Sequence, residues 1–270
     1  MKTIYRISDN SYKKIKLPCC TKTLCLDNFL DCFKKIDYVI ADNCSDKTIE
    51  YLNEKKLNVL KTNLGNAGSF MHSLEIAMSQ DVNEEEIFYF VEDDYIHNSY
   101  CKNLSEVIES GLNFADYVTL YDHPDKYSDK YDFGEICKVR NVKKQHWKNS
   151  ISTTMTFAAK VKTLKQDYDI FYNICHGEFH PNDHEIFLDL KNKKNRNLYV
   201  AIPGLCVHAD LSGNLDVECF DFIESWVFDV IEEKSKIIFK EKTGIELFSI
   251  HKFEGIKKLL MLEQMMSQIL

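Results

Sequence analysis

Short, mainly apolar runs alternate with stretches of helical periodicity along the first 125 residues of the chain. Five of these runs are predicted to be strands: Ile4–Ile7, Tyr38–Ala41, Leu57–Leu60, Ile87–Val91 and Tyr117–Tyr121. One helix is predicted to start near Lys47. Two further helices are predicted from their apolar faces, which are Phe70–Leu74–Ala77–Met78 and Leu104–Val107–Ile108–Gly111–Leu112. Strands that alternate with helices predict an α/β fold around a mostly parallel sheet.

The pattern loosens beyond Tyr121. Residues 134–158 are predicted to be extended segments around a basic loop, Asp183–Leu190 a helix, and Leu198–Ile202 a late strand. From about Glu218 onward, apolar residues recur at helical spacing, which predicts a C-terminal helical extension. That apolar stripe is compatible with packing on the sheet, with contact at a membrane surface and with a homodimer contact.

Three adjacent carboxylates, Glu92, Asp93 and Asp94, follow the strand Ile87–Val91. This strand is apolar on both faces, as a buried central strand is, and α/β proteins place their sites at the carboxyl ends of such strands. Neighbouring carboxylates repel one another unless a cation neutralises them, and Mg²⁺ and Mn²⁺ prefer oxygen ligands. The alternative is a solvated acidic turn, which is how we interpret Glu84–Glu86.

Polar motifs follow three of the predicted strands in a fixed order. Residues 42–48 read DNCSDKT, residues 63–68 read NLGNAG, and residues 92–94 read EDD. This order resembles that of GT-A glycosyltransferases related to family 2, in which the motifs read roughly D-D-x-S-x-D-x-T, N-x-G-x-x-G and D-x-D. The resemblance implies a Rossmann-related sheet flanked by helices. It also implies a nucleotide-sugar-binding half at 1–125, an acceptor-binding half of the same domain at 126–217, and a C-terminal helical subdomain at 218–270.

The resemblance implies a set of donor contacts. By position, Asp42 would contact the base or ribose of the nucleotide, and Asn66 and Gly68 would lie where the backbone passes close to the donor. Further contacts are implied for Asn43, for Asp93, and for the polar turn after the first strand, which holds Arg6, Ser8 and Asp9. The alternative for Arg6 is a surface arginine at a strand end.

A divalent cation, Mn²⁺ or Mg²⁺, is implied at the D-x-D motif. The first acid here is Glu92 rather than Asp, so Asp94 is expected to bind the ion directly and Glu92 to act through water. Many enzymes of this fold bring a late histidine back to the metal, and His208 has that position, with Asp210 two residues on. A histidine with a purely structural role is the alternative.

An inverting transferase of this kind needs a general base for the acceptor hydroxyl. Asp183 is the candidate that the resemblance favours, and Glu185 is the second. Asp183 is also predicted to be the N-cap of its helix, which is its structural alternative. If neither carboxylate reaches the reaction centre, a retaining mechanism becomes the expectation. A zinc site at His176, His180 and His184 is disfavoured, because Gly177 and Pro181 interrupt the helix that would align them.

Composition and charge limit the partners and the compartment. With 34 Lys and Arg against 42 Asp and Glu, the net charge of −8 argues against a nucleic-acid binder. The ten cysteines form no CxxC pair, and no signal peptide or 18-residue apolar segment is evident, so we expect reduced thiols in a cytoplasmic protein, with peripheral contact at the inner membrane as an option.

The sequence therefore predicts a metal-dependent glycosyltransferase that moves a sugar from a nucleotide-sugar donor to a bacterial surface glycan or lipid-linked glycan. A sugar-nucleotide pyrophosphorylase is one alternative, although the G-G-x-G-x-R-L loop of that class is missing. A non-catalytic nucleotide-binding scaffold is the other. The basic stretch around Trp147 is predicted to be a solvated loop or, as the functional alternative, a lid over the pyrophosphate or an anionic acceptor.

Overall fold

The computed structural model describes residues 1–10, 20–79, 81–127, 136–209 and Val230. Its eleven described strands are β1 Lys2–Ser8, β2 Tyr38–Asp42, β3 Val59–Thr62, β4 Ile87–Glu92, β5 Tyr95–His97, β6 Tyr117–Thr119, β7 Val139–Val142, β8 Gln145–Ser150, β9 Phe157–Lys160, β10 Leu198–Ile202 and β11 Cys206–His208. Its described α-helices are α1 Lys22–Phe33, α2 Asp46–Glu54, α3 Gly65–Ala77, α4 Leu104–Gly111, α5 Val161–Cys175 and α6 Asp183–Lys194.

Nine strands form one mixed sheet in the order β3-β2-β1-β4-β9-β6-β10-β8-β7. The strands β3, β2, β1 and β4 are mutually parallel, and β10 is parallel to β6. Only β8 and β9 run opposite to the other strands of this sheet. The predicted α/β class with a mostly parallel sheet is therefore confirmed, and strands from both halves of the chain share the one sheet.

Helices cover both faces of the sheet, because the side chains of each central strand alternate between two apolar layers. On β4, Tyr89 and Val91 belong to the layer that contains Phe29 of α1, whereas Phe88 and Phe90 belong to the other. That second layer contains apolar residues of α3, α5 and α6, namely Phe70, Leu74, Leu164, Phe171, Ile186 and Phe187. Each fully buried Phe contributes about 1.5–3 kcal/mol to stability.

A second, two-stranded sheet pairs β5 with β11 in antiparallel register. His208 lies opposite Tyr95, and Cys206 lies opposite His97. Main-chain bonds from Leu205 and Cys206 to the carbonyl of Leu120 fix the start of β11 beside the end of β6. This small sheet brings the late histidine next to the acidic end of β4.

Several sequence predictions differ from the structure. Helices α1 and α5 were not predicted. The extended segments predicted around a basic loop are a hairpin of β7 and β8, in which Trp147 and Lys148 are buried rather than part of a solvated loop. The N-cap of α6 is Asn182, so the predicted capping role of Asp183 is wrong by one residue. The predicted C-terminal helical extension, and Asp210, lie outside the described residues apart from Val230, which is helical.

The predictions of reduced thiols and of no membrane-spanning segment can be compared with the structure over the described residues. Cys44, Cys101, Cys137, Cys175 and Cys206 are free thiols. Within the described ranges, no helix combines the length and the apolar character needed to cross a bilayer.

Candidate active site

A cleft opens at the carboxyl ends of β1, β2 and β4, where the sequence places most of its candidate residues. Its lining consists of Arg6, Ile7, Ser8, Asn10, Asp42, Asn43, Gly65, Asn66, Ser69, Glu92, Asp93, Asp94 and Phe179. Six of these lining residues were predicted as donor contacts, and Glu92 and Asp94 were predicted as metal ligands. Ser69, Gly65 and Phe179 were not predicted.

Arg6 connects the floor of the cleft to helix α3. It is 6% exposed, and its Nη2 donates to Glu92 Oε1 at 2.7 Å. Nη1 donates to the carbonyl and the Oδ1 of Asn66, both at 3.0 Å, and to Ser69 Oγ at 3.3 Å. Arg6 and Glu92 are register partners across β1 and β4, so the strand pairing itself sets this ion pair.

Asp42 is occupied by the chain itself. Its Oδ1 accepts hydrogen bonds from Thr62 Oγ1 at 2.8 Å and from the main-chain N–H of Leu64 at 2.6 Å. Its Oδ2 accepts from Gly65 N at 3.0 Å and from Asn43 Nδ2 at 2.9 Å. A carboxylate offers about four lone-pair positions, so this side chain is saturated and holds the turn that starts α3.

Asp9 is directed at α2 and is not part of the cleft lining. Its Oδ2 accepts from the N–H and Oγ of Ser45 and from Thr48 Oγ1, the last at 2.6 Å. Partial burial opposes ionisation, but the bonds from Thr48 and Ser45 prevail and lower the pKa of Asp9 to about 2. Because Ser45 is also the N-cap of α2, Asp9 fixes the first turn of that helix.

Two glycines of the NLGNAG segment have different positions. Gly65 lines the cleft and has a φ of 74°, which glycine adopts at little cost. Gly68 lies outside the cleft lining, and a Cβ there would stand 2.9 Å from the Leu64 side chain. Phe179 approaches this segment from the other side, where its carbonyl accepts from Ala67 N at 3.4 Å, and its side chain is 71% exposed at the cleft.

Asp94 and His208 meet at the edge of the cleft. The distance between Asp94 Oδ1 and His208 Nε2 is 3.3 Å. The imidazole stacks on Tyr95, with ring centroids 4.7 Å apart and an interplanar angle of 9°. Nε2 is buried and forms no hydrogen bond within the described ranges, so the contact with Asp94 is close without hydrogen-bond geometry.

This spacing fits two ligands of one divalent ion. Adjacent ligands of an octahedral ion at 2.0–2.1 Å lie about 3 Å apart. Carboxylate oxygen and imidazole nitrogen are both acceptable to Mn²⁺. No group of three or more His, Cys, Asp or Glu side chains suited to a metal occurs among the described residues, so further ligands would have to come from the substrate or from water.

Glu92 and Asp93 are both held by other groups of the cleft. Glu92 is bound to Arg6, as described above, and its N–H donates to Thr156 Oγ1 at 3.3 Å. Asp93 Oδ2 accepts from the N–H of Ser8 at 2.9 Å and lies 3.6 Å from Lys22 Nζ. These contacts place both side chains at the cleft without making either a partner of His208.

The two candidate bases on α6 have different surroundings. Burial raises the pKa of Asp183, and the carboxylate of Glu92 raises it further, against the opposing hydrogen bond from His184 N. Glu185 is exposed, and its carboxylate accepts from Asn182 Nδ2 at 2.8 Å in a reciprocal cap of the helix. Asp183 is therefore the one whose charge is coupled to the acidic end of β4.

The alternative zinc site lacks support in the described residues. His176 ends α5 and stacks on Tyr172 with centroids 4.7 Å apart, outside the helix that carries His184.

Comparison with known proteins yields structural likeness alone. No family model matches the chain, and no curated protein matches it. Among solved structures, it is similar to residues 1–349 of TarS from S. aureus, with 15% identity, a TM-score of 0.48, and coverage of 98% of this chain and 71% of the other. It is also similar to an inositol-1-phosphate CTP transferase from T. maritima (13% identity, TM-score 0.44, coverage 92% and 98%).

Mouse xyloside xylosyltransferase 1 is a third similar structure, with 10% identity, a TM-score of 0.41, and coverage of 74% of this chain and 84% of the other. Because all three TM-scores lie below 0.5 and the identities do not exceed 15%, neither a family nor an activity follows from these likenesses.

Proposed function

We propose that the chain is a metal-dependent glycosyltransferase that transfers a sugar from a nucleotide-sugar donor to a glycan or lipid-linked glycan acceptor. The observation that carries this proposal is the Asp94–His208 pair at the edge of a cleft lined by Arg6 and three consecutive acids. A buried imidazole nitrogen without a hydrogen bond, 3.3 Å from a carboxylate oxygen, supports a cation site. The cation would be Mn²⁺ or Mg²⁺.

Each part of the cleft has a role in this proposal. Asp94 and His208 would hold the cation, and when bound it would supply positive charge beside a leaving nucleoside diphosphate. The segment from Asn63 to Gly68, fixed by Asp42, presents Asn66 and the N-terminus of α3 to the donor. A helix N-terminus favours anionic groups, and Gly65 lets the main chain approach them closely.

Asp183 is the proposed general base. A base must be ionised at the working pH yet basic enough to take a proton, and a raised pKa makes the Asp183 carboxylate the more basic of the two candidates. In-line attack by the deprotonated acceptor hydroxyl on the anomeric carbon would invert its configuration. The proton goes to Asp183, and the nucleoside diphosphate leaves.

Glu92 has a supporting role in this account. The Arg6 guanidinium lies 2.7 Å from its carboxylate and offsets the negative charge that Glu92 adds beside Asp93 and Asp94. The negative charge of Glu92 in turn raises the pKa of Asp183. Contact between Glu92 and the cation through water remains our expectation.

A turnover assay tests this function. The full chain is incubated with UDP-, GDP-, CDP-, CMP- and dTDP-sugars in the presence of Mn²⁺ or Mg²⁺, and sugar release to water or to added glycans is followed. We expect release from one nucleotide class, its loss with EDTA or in Asp94→Asn, and its retention in His72→Gln, which alters a surface histidine of α3. Pyrophosphate release from a nucleoside triphosphate and a sugar 1-phosphate would instead identify the pyrophosphorylase alternative. Binding without any turnover would identify a scaffold.

A further inference from the structure

The hairpin formed by β7 and β8 is the most basic part of an acidic protein. Residues 136–150, called the basic hairpin below, contain five Lys and Arg and no Asp or Glu, although the whole chain has a net charge of −8. Lys138, Arg140, Lys143 and Lys144 are exposed. None of these four forms an ion pair with a carboxylate of the described residues, whereas Lys148 is buried and paired with Asp122 at 2.6 Å.

Two exposed aliphatic side chains accompany these cations. Ile136 is 83% exposed and Val139 is 58% exposed. Both precede or begin β7, which is the last strand of the nine-stranded sheet and has no neighbour on its outer side among the described residues. Lysines on such an edge discourage pairing with another strand, so a second copy of this edge is a poor partner for it.

The basic hairpin packs closely against the rest of the protein. Trp147 is fully buried, and a Cβ on Gly111 would stand 2.9 Å from its ring, so helix α4 and this indole are in close contact. The Arg140 guanidinium lies 5.2 Å from the Phe114 ring centre. Lys143 and Lys144 form the two-residue turn, with φ of 49° and 69°, as a type I′ turn requires.

The turn projects from the same edge of the sheet as the candidate active site. β10 runs parallel to β6, and β8 is antiparallel to β10 with His146 opposite Ile202. Lys143 and Lys144 therefore lie just beyond the carboxyl end of β10, at the edge where β1, β2 and β4 also end. Four strand spacings separate β8 from β4, which amounts to about 20 Å.

We propose that the basic hairpin docks the protein on an anionic phospholipid surface. Cations draw it to anionic headgroups, and Ile136 and Val139 enter the boundary between headgroups and acyl chains. Exposed aliphatic side chains favour a bilayer over a nucleic acid, which would be met by aromatic stacking or base contacts. Because Lys143 and Lys144 lie at one end of β7 while Ile136 and Val139 lie at the other, the outer edge of β7 would lie along the membrane. Docking requires no turnover, so its test is independent of the proposed transferase activity.

Vesicle sedimentation with the full chain tests the proposal. The vesicles consist of phosphatidylcholine alone or of phosphatidylcholine with about one third phosphatidylglycerol. Lys143→Asn/Lys144→Gly removes two charges and creates the dipeptide that type I′ turns prefer, so this variant should fold at least as well as the parent. Lys56→Asn/Lys61→Gln is the matched control, because it also removes two charges and both of its lysines are exposed near β3, at the opposite edge of the sheet.

We expect the parent to bind the anionic vesicles and not the neutral ones, and to dissociate at high salt. Since each lysine near such a surface contributes about fivefold, Lys143→Asn/Lys144→Gly should lower the partition coefficient about 30-fold. Ile136→Ser/Val139→Ser should also weaken binding, and the β3-edge control should bind as the parent does. Equal binding of parent and hairpin variants, binding to neutral vesicles alone, or binding to RNA but not to vesicles would each overturn the proposal.

Discussion

The two sides of the cleft use their carboxylates differently. On the β2 side, Asp42 accepts four hydrogen bonds and Asp9 accepts three through one oxygen, and most of these donors belong to the loops that lead into α3 and α2. On the β4 side, Asp94 approaches a histidine nitrogen that has no hydrogen bond within the described residues. Asp183 accepts from its neighbour His184 and carries a raised pKa.

This difference separates carboxylates that hold the loops around the cleft from carboxylates to which we assign the chemistry. An acid of the first kind stabilises the loops around it, and the hydrogen bonds from Thr48 and Ser45 lower the pKa of Asp9. An acid whose neighbours are other acids is kept at a cost, since buried like charges repel. Such costs concentrate at functional sites, which is why the β4 side is where we place the chemistry.

Loss of the base should have the largest effect. Asp183→Asn keeps the size of the side chain and its place in the first turn of α6, while Asn182 remains the cap. We expect transfer to fall by about 10²-fold or more, because the amide cannot accept the proton, with nucleotide and metal binding preserved. Glu185→Gln is the matched control on the same turn and should change transfer little. Near-normal transfer by the Asp183 variant would reject it as the base, and the anomeric configuration of the product would then decide between inversion and retention.

Removal of single acids should destabilise the two sides unequally. Asp42→Ala leaves the N–H groups of Leu64 and Gly65 without their acceptor, so we expect a loss of about 3 kcal/mol in the free energy of unfolding. Asp94→Ala, measured without metal, relieves repulsion from Glu92 and Asp93 and should cost about 1 kcal/mol or less. Denaturant unfolding of both variants checks this contrast. An Asp94 variant as unstable as the Asp42 variant would erase the distinction between the two sides.

The pH dependence of stability should show opposite signs on the two sides. The pKa of Asp9 is lowered to about 2, so its contribution is full above its ordinary pKa of 3.8 and is lost as the pH falls toward 2. The pKa of Asp183 is raised, so its contribution to the free energy of unfolding is present below the ordinary pKa of an aspartate. This contribution is lost as the pH rises through the folded-state pKa. Asp9→Asn should therefore flatten the acid limb of the stability profile, and Asp183→Asn should raise stability at neutral pH. Profiles of both variants that run parallel to that of the parent would refute this assignment.

Local pattern was enough to predict most strands and the meeting of some site residues. The end of β4 and the late strand before His208 are both marked by apolar runs, and the structure brings Asp94 and His208 together. Helix α5 was missed because its apolar stripe is broken by Asp167, a fully buried acid. Its partners, Arg196 at 2.8 Å and Tyr117 at 2.7 Å, are too distant in the chain to be foreseen.

Other features depend on contacts that side-chain patterns do not encode. Two of the four hydrogen bonds to Asp42 come from the main-chain N–H groups of Leu64 and Gly65, so they could not be predicted from the residue types. Residues 134–158 were predicted to be extended segments around a basic loop, but the pairing of β7 with β8 was not specified, because the Lys-Lys turn lacks the glycine that marks most type I′ turns. The exposed Phe179 carries no motif at all, and only the fold places it at the cleft.

Metal-linked nucleotide binding tests the central claim most directly. Melting temperatures are measured with UDP, GDP, CDP and dTDP, each with Mn²⁺ or with EDTA, for the parent, Asp94→Asn, His208→Ala and the surface control His72→Gln. For the parent, one nucleotide should stabilise more with Mn²⁺ than with EDTA, by about 2.7 kcal/mol at a hundredfold excess over Kd. The difference should disappear in Asp94→Asn and His208→Ala and persist in His72→Gln. A metal dependence that survives in both Asp94→Asn and His208→Ala would contradict the account.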